Sequence, residues 1–248
     1  MSSPYLLAAL LIFFRLSPLF LVAPIIGFAR VPVLFRLILT VSFSLILAGT
    51  LSAYPAADNS MQLITQLISE ALIGISLAFS IHAAIAGLTY AGQLIDMQIG
   101  FAAAAIFDPT TNQNTSPTGE VFTIAALAVF VIFAFDHKLL QAMSLLLEAL
   151  PPGSAFQFSE SWVGILGRHL VIGFLLASPV IISLWLTDVF IAYLSRSLPQ
   201  TPMYFVALPI KVMIGIISLA WLISEALEPM LRLYHASLLS WDKMFIVK

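Results

Sequence analysis

Long apolar stretches separated by isolated charges dominate the chain. No Asp, Glu, Lys or Arg occurs within residues 37–57, 71–95 or 169–187. As an α-helix, the 19 residues of the last stretch extend about 28 Å, close to the roughly 30 Å hydrocarbon core of a bilayer. These three stretches therefore predict membrane-spanning helices.

Three further apolar stretches contain a charge or are cut short by one. A Lys or Arg at the centre of a membrane helix costs about 2.5–3.5 kcal/mol, so such a charge needs a partner. The affected segments are residues 5–26 with Arg15, residues 121–135 between two carboxylates, and residues 203–224 with Lys211. The whole pattern predicts an all-α, polytopic membrane protein of about six hydrophobic helical segments, some of them broken or re-entrant.

The last part of the chain has a different pattern, with apolar side chains at spacings of three or four. They are Leu227, Leu231, Tyr234, Leu238, Trp241 and Phe245. This spacing is typical of an amphipathic helix that lies on a membrane or against a partner protein. We therefore expect residues 1–248 to form a single integral-membrane domain that includes an amphipathic C-terminal helix over residues 225–248.

Composition narrows the class of protein further. Hydrophobic residues make up 61% of the chain and charged residues 9%, against roughly 45–50% and 25% in soluble domains. This composition excludes a soluble globular enzyme. The ten Lys and Arg residues form no basic block, so a nucleic-acid partner is not expected. Because cysteine is absent, the chain has neither a disulfide nor a thiolate metal site.

Motifs for catalysis are missing from the sequence. It contains no P-loop, no G-x-G-x-x-G and no G-x-S-x-G, and its four histidines lie far apart. We therefore expect no enzymatic activity, no cofactor and no metal. Four carboxylates at the ends of apolar stretches are the candidates for a proton relay if the protein is a transporter: Glu70, Asp96, Asp188 and Glu225.

Small residues line one face of the stretch over residues 71–95. Ala83, Gly87 and Ala91 follow one another at intervals of four, and Gly92 lies beside them. Small side chains at this spacing let two helix backbones approach closely. We expect these four residues to lie at a helix–helix contact.

The most unusual segment follows Asp108. Residues 109–119 carry no ionisable side chain and are rich in Thr, Asn and Pro. Pro109 disfavours helical geometry at Asp108, and the polar side chains are suited to bonding their own backbone. Two interpretations remain open on this pattern: a short surface connection, or a compact loop packed inside a protein, where stranded charge is avoided.

Several segments resemble the FliR family, the R subunit of the flagellar type III export gate, whose injectisome counterparts are the SpaR and YscT proteins. The matching segments are ALIGISLAF (71–79), AGQLIDMQIGFAAAAIFDP (91–109), SP (116–117) and FVALPIKVMIGI (205–216). The opening resembles the family too, in Arg15, Pro18, Pro24 and Arg30. One departure is Asp136–His137, where the family pattern suggests Gly-His, which puts a local turn in doubt.

The resemblance implies a subunit of a bacterial inner-membrane complex within the basal body of a flagellum or injectisome. A single R subunit joins several P-type and Q-type subunits, beside other export-apparatus membrane proteins, to form the entry pore for unfolded export substrates. The loop over residues 101–119, and within it the segment over residues 101–117, resembles the plug that closes this pore at rest. Its candidate residues are Phe101, Phe107, Asp108, Pro109, Thr110, Thr111, Asn112, Gln113, Asn114, Thr115, Ser116 and Pro117.

Partner subunits also offer an explanation for charges within apolar stretches. On this interpretation the residues that contact neighbouring subunits are Arg15, Arg30, Glu70, Asp96 and Lys211. The flagellar system is favoured, and an injectisome subunit is the first alternative. A small secondary transporter is the second, with its binding site near Pro209 and the Asp108–Pro109 loop, but the two inverted halves that it predicts are not visible in the sequence.

Overall fold

A computed structural model describes residues 4–22, 31–51, 54–56, 59–101, 116–154, 156–158, 162–197, 203–239, 241 and 245–247. Its helices are α1 (Pro4–Ser17), continued by a π-helical turn (Pro18–Val22), α2 (Val33–Gly49), α3 (Ser60–Ile99), α4 (Pro117–Ile132), α5 (Phe135–Ala149), α6 (Trp162–Ser197), α7 (Met203–Glu225) and α8 (Leu227–Leu239). Two three-residue strands, β1 (Phe156–Phe158) and β2 (Phe245–Val247), pair with each other.

Four helical stretches in the described part of the chain are long and apolar enough to cross a membrane. They are Pro4–Leu21, Ser60–Ile99, Leu170–Ser197 and Ala207–Glu225. A fifth candidate is the sharply bent pair of α4 and α5, and α2 is a shorter apolar helix. The predicted fold class, a helical polytopic membrane protein with broken segments, is confirmed.

Proline explains the irregular end of α1. Pro18 has no N–H, so the carbonyl of Phe14 loses its usual helical donor. The Ser17 hydroxyl donates to that carbonyl instead, at 3.2 Å. The helix then continues as the π-helical turn. Gly74 of α3 packs directly against this region, where a Cβ on residue 74 would collide with the Arg15 carbonyl.

The break between α4 and α5 lies at Ala134, the one non-glycine residue with a left-handed backbone in the described ranges (φ 50°). Asp136 and His137, where the sequence departs from the family pattern, form the first turn of α5. At the position where this departure put a local turn in doubt, the structure has the start of a helix. The residue before it, Ala134, has the left-handed backbone.

The chain divides into two compact units. The first contains residues 1–83, 130–169 and 234–248, and the second contains residues 84–129 and 170–233. In the first unit Phe130, Phe135 and Tyr234 form an aromatic cluster with ring centroids 5.0–6.2 Å apart. The second unit is held by close helix–helix contacts described below. The expectation of one domain over residues 1–248 stays a prediction.

The C-terminal amphipathic helix is shorter than the predicted range of 225–248. The structure describes it over Leu227–Leu239, and residues 245–247 form β2, antiparallel to β1 with Phe158 opposite Phe245. The Phe-Ile-Val sequence of β2 consists of residues that favour strands, which explains why the helix does not continue. Between them, Trp241 is buried and its indole N–H donates to Ser80 Oγ at 2.9 Å.

Candidate functional site

Asp96 connects the two helices that flank the proposed plug segment. It lies in the last turn of α3 and is 4% exposed. Its carboxylate accepts hydrogen bonds from the hydroxyls of Ser116 and Thr118, and from the Thr118 N–H at 3.1 Å. We call this arrangement the Asp96 clasp. Because a buried carboxylate is stable only when its oxygens are well bonded, the clasp fixes the end of α3 to the start of α4.

Ser116 has a second role as the N-cap of α4. Its hydroxyl oxygen accepts the N–H of Gly119 at 2.9 Å, and its carbonyl accepts the N–H of Glu120 at 2.9 Å. Pro117 follows at the first helical position, where a missing N–H costs nothing. Ser116 and Pro117, which the sequence assigned to the end of the plug, thus begin α4. The negative charge of Asp96 also lies beside the positive end of the α4 dipole.

A glycine ends α3 on the other side of the segment. Gly100 has a left-handed backbone (φ 96°) and its N–H donates to the Asp96 carbonyl at 3.1 Å. This is the usual way for a helix to stop, since glycine adopts that conformation without strain. Phe101 follows as a half-buried residue. The remaining candidate plug residues, from Phe107 to Thr115, lie outside the described residues.

Close backbone contacts support the clasp one turn away. A Cβ on Gly92 would collide with the backbone of Gly119, at the crossing of α3 and α4. A Cβ on Gly87 would lie 2.8 Å from the Leu170 carbonyl and 3.2 Å from Gly173 Cα, at the contact of α3 with α6. Ala83 and Ala91, the other two residues of the predicted small-residue face, are buried at 4% and 0% exposure.

Two of the predicted charge contacts pair with each other. Arg15 Nε lies 2.5 Å from Glu70 Oε2, Arg15 Nη2 lies 3.0 Å from Glu70 Oε1, and both side chains are fully buried. Arg15 Nη1 also donates to the Leu150 carbonyl at 2.9 Å, while Glu70 accepts the Gly153 N–H at 2.7 Å. The ion pair therefore holds the Pro-Pro-Gly turn that follows α5. Its charges need no partner on another subunit, and the predicted intersubunit role stays a prediction.

Lys211 is paired within the chain as well. Its Nζ lies 2.7 Å from Asp188 Oδ1, between α7 and α6, with the two side chains 17% and 48% exposed. No local sequence pattern predicts this pairing, because the two residues lie 23 positions apart on different helices. Arg30, the fifth predicted charge contact, lies outside the described residues.

Two further polar residues were missed at the sequence level. Thr118 supplies two of the three donors in the clasp, and it escaped notice because its role depends on a residue 22 positions earlier. Arg36 is 9% exposed, and its Nε donates to the Val31 carbonyl at 3.0 Å. The signal in the sequence is that Arg36 directly precedes the uncharged stretch 37–57, where a charge near an apolar helix needs a partner.

The described residues contain no group of three or more His, Asp or Glu side chains close enough to hold a metal ion. The role that the arrangement supports is structural. The long helix α3 ends, and α4 begins, at the hydrogen bonds of Asp96, and the proposed plug segment connects the two helices.

Residues 6–237 match the protein family described as bacterial export proteins, family 1. The chain belongs to that family. The match covers more than nine-tenths of the sequence, including α2 to α7 in full and most of α1 and α8. The resemblance to FliR seen in the sequence is thereby confirmed.

Individual members of the family are similar over most of their length. The flagellar biosynthetic protein FliR of Bacillus subtilis (strain 168) is 28% identical over 219 residues, which are 86% of this chain and 84% of that protein. The surface presentation of antigens protein SpaR of Shigella sonnei is 28% identical over 215 residues, 83% and 80% of the two chains. The Yop proteins translocation protein T of Yersinia pestis is 29% identical over 173 residues, 65% and 66% of the two chains.

Proposed function

We propose that the protein is a structural and gating subunit of a bacterial type III protein export gate, most simply that of the flagellum. The observation that carries this proposal is family membership over residues 6–237, together with FliR relatives that align over more than four-fifths of both chains. An enzymatic role has no motif to support it. The protein acts by forming part of a pore, and the energy for transport comes from other components.

The apolar helices make this a multi-pass membrane protein, and we propose the bacterial inner membrane as its location. Two helices expose most of their apolar surface. In an apolar 18-residue part of Leu170–Ser197 only 28% is buried, and in the corresponding part of Ala207–Glu225 only 17%. Such surfaces require cover by lipid or by other apolar helices. P-type and Q-type gate subunits are the partners that we propose for part of this surface, and lipid for the remainder.

Residues 101–117 are the proposed plug of the entry pore. Two features support this assignment. Residues 109–119 are uncharged and polar, as expected for irregular backbone packed within a membrane complex. The segment also begins immediately after Gly100, and its last two residues, Ser116 and Pro117, start α4; the Gly100 N–H bonds the Asp96 carbonyl and the Ser116 hydroxyl bonds the Asp96 carboxylate. In the closed state the segment fills the pore, and it moves aside when an unfolded substrate enters.

Deletion of residues 110–115 tests the plug. Ser116 is retained because it caps α4. Cells that make the complete export complex with this deletion should leak ions, measured as the growth defect and the collapse of membrane potential after induction. The same deletion in cells without the P-type subunit is the control, and it should not leak because no complex forms. Normal ion permeability, with a normal amount of assembled complex, would show that the segment is not a plug.

The identity of the partner subunits distinguishes a flagellar from an injectisome export gate. Flagellar FliR proteins and the injectisome SpaR protein align over similar shares of this chain, so a second candidate function, the injectisome gate, keeps specific support. Purification of the tagged protein from native membranes, followed by mass identification of partners, distinguishes the two. Recovery of flagellar P-type and Q-type subunits supports the first. A protein that purifies alone and transports a small solute would instead indicate the secondary transporter.

A further inference from the structure

Lys138 of α5 and His235 of α8 form a basic pair in the first compact unit. Lys138 Nζ donates to His235 Nε2 at 3.4 Å, and it lies 4.4 Å from the centroid of the Phe135 ring. His235 is exposed and Lys138 is half-buried. We propose that this pair binds the phosphate of an anionic lipid headgroup. The inference depends on the membrane class of the protein and is independent of the proposed gate function.

Two contacts hold the ammonium group of Lys138 in place. Because lysine can only donate hydrogen bonds, His235 Nε2 is the acceptor, and the face of the Phe135 ring attracts the positive charge. The His235 ring in turn packs edge-on against Phe135, with centroids 5.2 Å apart. The remaining N–H groups of the ammonium are left for a ligand. Since the side chain is already ordered, binding costs less side-chain entropy than it would at a freely rotating lysine.

The positive charge of Lys138 has no carboxylate partner in the part of the chain that the structure describes. The ion pairs found there involve other residues. On α8 the exposed Glu228 carboxylate is paired with Arg232 at 2.6 Å. On α5 the nearest acidic position is 136, and positions two apart in a helix do not share a face. The ammonium group is therefore available to complement an anion.

Exposed apolar side chains lie next to the basic pair. Val131 and Ile132, the last residues of α4, are 65% and 74% exposed. The Phe130 ring, which precedes them, stacks on the Phe135 ring at a centroid distance of 6.2 Å. Phe135 therefore contacts Lys138 on one side and the end of α4 on the other.

The sequence around this point changes abruptly from apolar to charged. Residues 121–135 carry no charge, whereas Asp, His and Lys follow at 136–138. Such a change is typical of the boundary between the hydrocarbon core and the headgroup region of a membrane. An anionic phospholipid matches both features, because its phosphate complements the cation and its acyl chains cover the exposed apolar side chains.

The charge of Lys138 sets the size of the expected effect. One lysine near an anionic membrane surface changes affinity about fivefold. Lys138→Gln should therefore lower the local preference for anionic lipid about fivefold. Lys138→Arg should retain most of that preference, because the guanidinium also binds phosphate. His235→Leu removes the acceptor that orients the ammonium group, and it should lower the preference less than Lys138→Gln does.

A fluorescence experiment measures this preference beside the pair. Because the chain contains no cysteine, Gln141→Cys provides a single labelling site on it, at an exposed position one turn after Lys138. The labelled full-length protein, with the subunits that co-purify, is reconstituted into phosphatidylcholine vesicles containing phosphatidylglycerol. Quenching by spin-labelled phosphatidylglycerol is divided by quenching by phosphatidylcholine with the same spin label. The same preparation without Gln141→Cys gives the background.

The quenching ratio should be high in wild type and in Lys138→Arg, and about fivefold lower in Lys138→Gln. Arg196→Gln removes an exposed charge from the last turn of α6, and as the control it should leave the ratio unchanged. Equal ratios in wild type and Lys138→Gln would overturn the proposal. Salt provides a test that needs no variant, since added salt screens the attraction and should lower the wild-type ratio. A ratio that does not respond to salt would also overturn it.

Other anions would give different results. If Lys138 pairs with a carboxylate on another subunit, Lys138→Gln should reduce the recovery of co-purifying subunits while the quenching ratio stays as in wild type. That outcome excludes the lipid site. Glycerol phosphate carries the same phosphate without acyl chains, so it should not displace phosphatidylglycerol at an equal phosphate concentration. A fall of the ratio to the level of Lys138→Gln on its addition would assign the pair to a soluble phosphate.

Discussion

Arg15 and Glu70 form a fully buried ion pair, although 55 residues separate them in the sequence. Together they also bond the Leu150 carbonyl and the Gly153 N–H. Buried ion pairs contribute little net stability over a well-packed apolar pair, but they strongly penalise the loss of one partner. The pair therefore disfavours any packing of α1, α3 and the turn after α5 in which Arg15 and Glu70 are separated.

The first prediction concerns this pair. Arg15→Leu leaves the Glu70 carboxylate buried without a partner and should destabilise the protein by about 3–5 kcal/mol. The double variant Arg15→Leu/Glu70→Leu should be markedly more stable than the single one, because it removes both charges. The measurement is the midpoint of thermal unfolding of the detergent-solubilised complex. A double variant as unstable as Arg15→Leu would show that the unpaired Glu70 carboxylate is not the cause of the loss.

The second prediction concerns the crossing of α3 and α4. Gly92→Ala forces a Cβ into the backbone of Gly119 and should cost about 1–3 kcal/mol or more. Gly164→Ala is the matched control, because nothing lies within 4 Å of the new Cβ. Replacing a helical glycine there should stabilise α6 by up to about 1 kcal/mol. Protease resistance of the assembled complex measures both changes, and equal effects of the two substitutions would contradict the close crossing.

The third prediction concerns the left-handed alanine between α4 and α5. Ala134→Gly should stabilise the protein by about 1 kcal/mol, since glycine adopts a φ of 50° without the Cβ clash. Ala192→Gly, at an exposed position within α6, should destabilise by about the same amount. Thermal unfolding of the purified protein gives both values. If Ala134→Gly behaves like Ala192→Gly, the backbone at residue 134 is helical.

The fourth prediction concerns Lys211 and Asp188. Lys211→Leu leaves a carboxylate on an apolar helix without its cation and should reduce co-purification with the proposed P-type and Q-type partners. Because the partner lies within the chain, Lys211→Leu/Asp188→Leu should restore much of that recovery. The yield of the complex after affinity purification is the readout. Recovery that stays as low as in the single variant would locate the partner of Lys211 on a neighbouring subunit.

The family and the class of fold were both accessible from the sequence. In lipid every backbone polar group needs a hydrogen-bond partner within the protein. An α-helix supplies these partners within one segment, so the apolar stretches 71–95 and 169–187 predict helices. The small residues Gly87 and Gly92 predicted a close helix contact for a similarly local reason, since only short side chains let two helix backbones approach so closely. The predicted C-terminal helix was too long. The apolar spacing of three or four residues continues through Trp241 to Phe245, but Phe245 belongs to a strand.

The charge partners were decided by the tertiary structure alone. Arg15 reaches Glu70, Lys211 reaches Asp188, and Asp96 reaches Thr118 across gaps of 22 to 55 residues. No local pattern records such pairs, because their energy depends on the distance between groups in space and on their removal from water. The sequence by itself determined that the helices form and that buried charges need partners. Only the packing of those helices determined which partners they have, since it alone sets those distances.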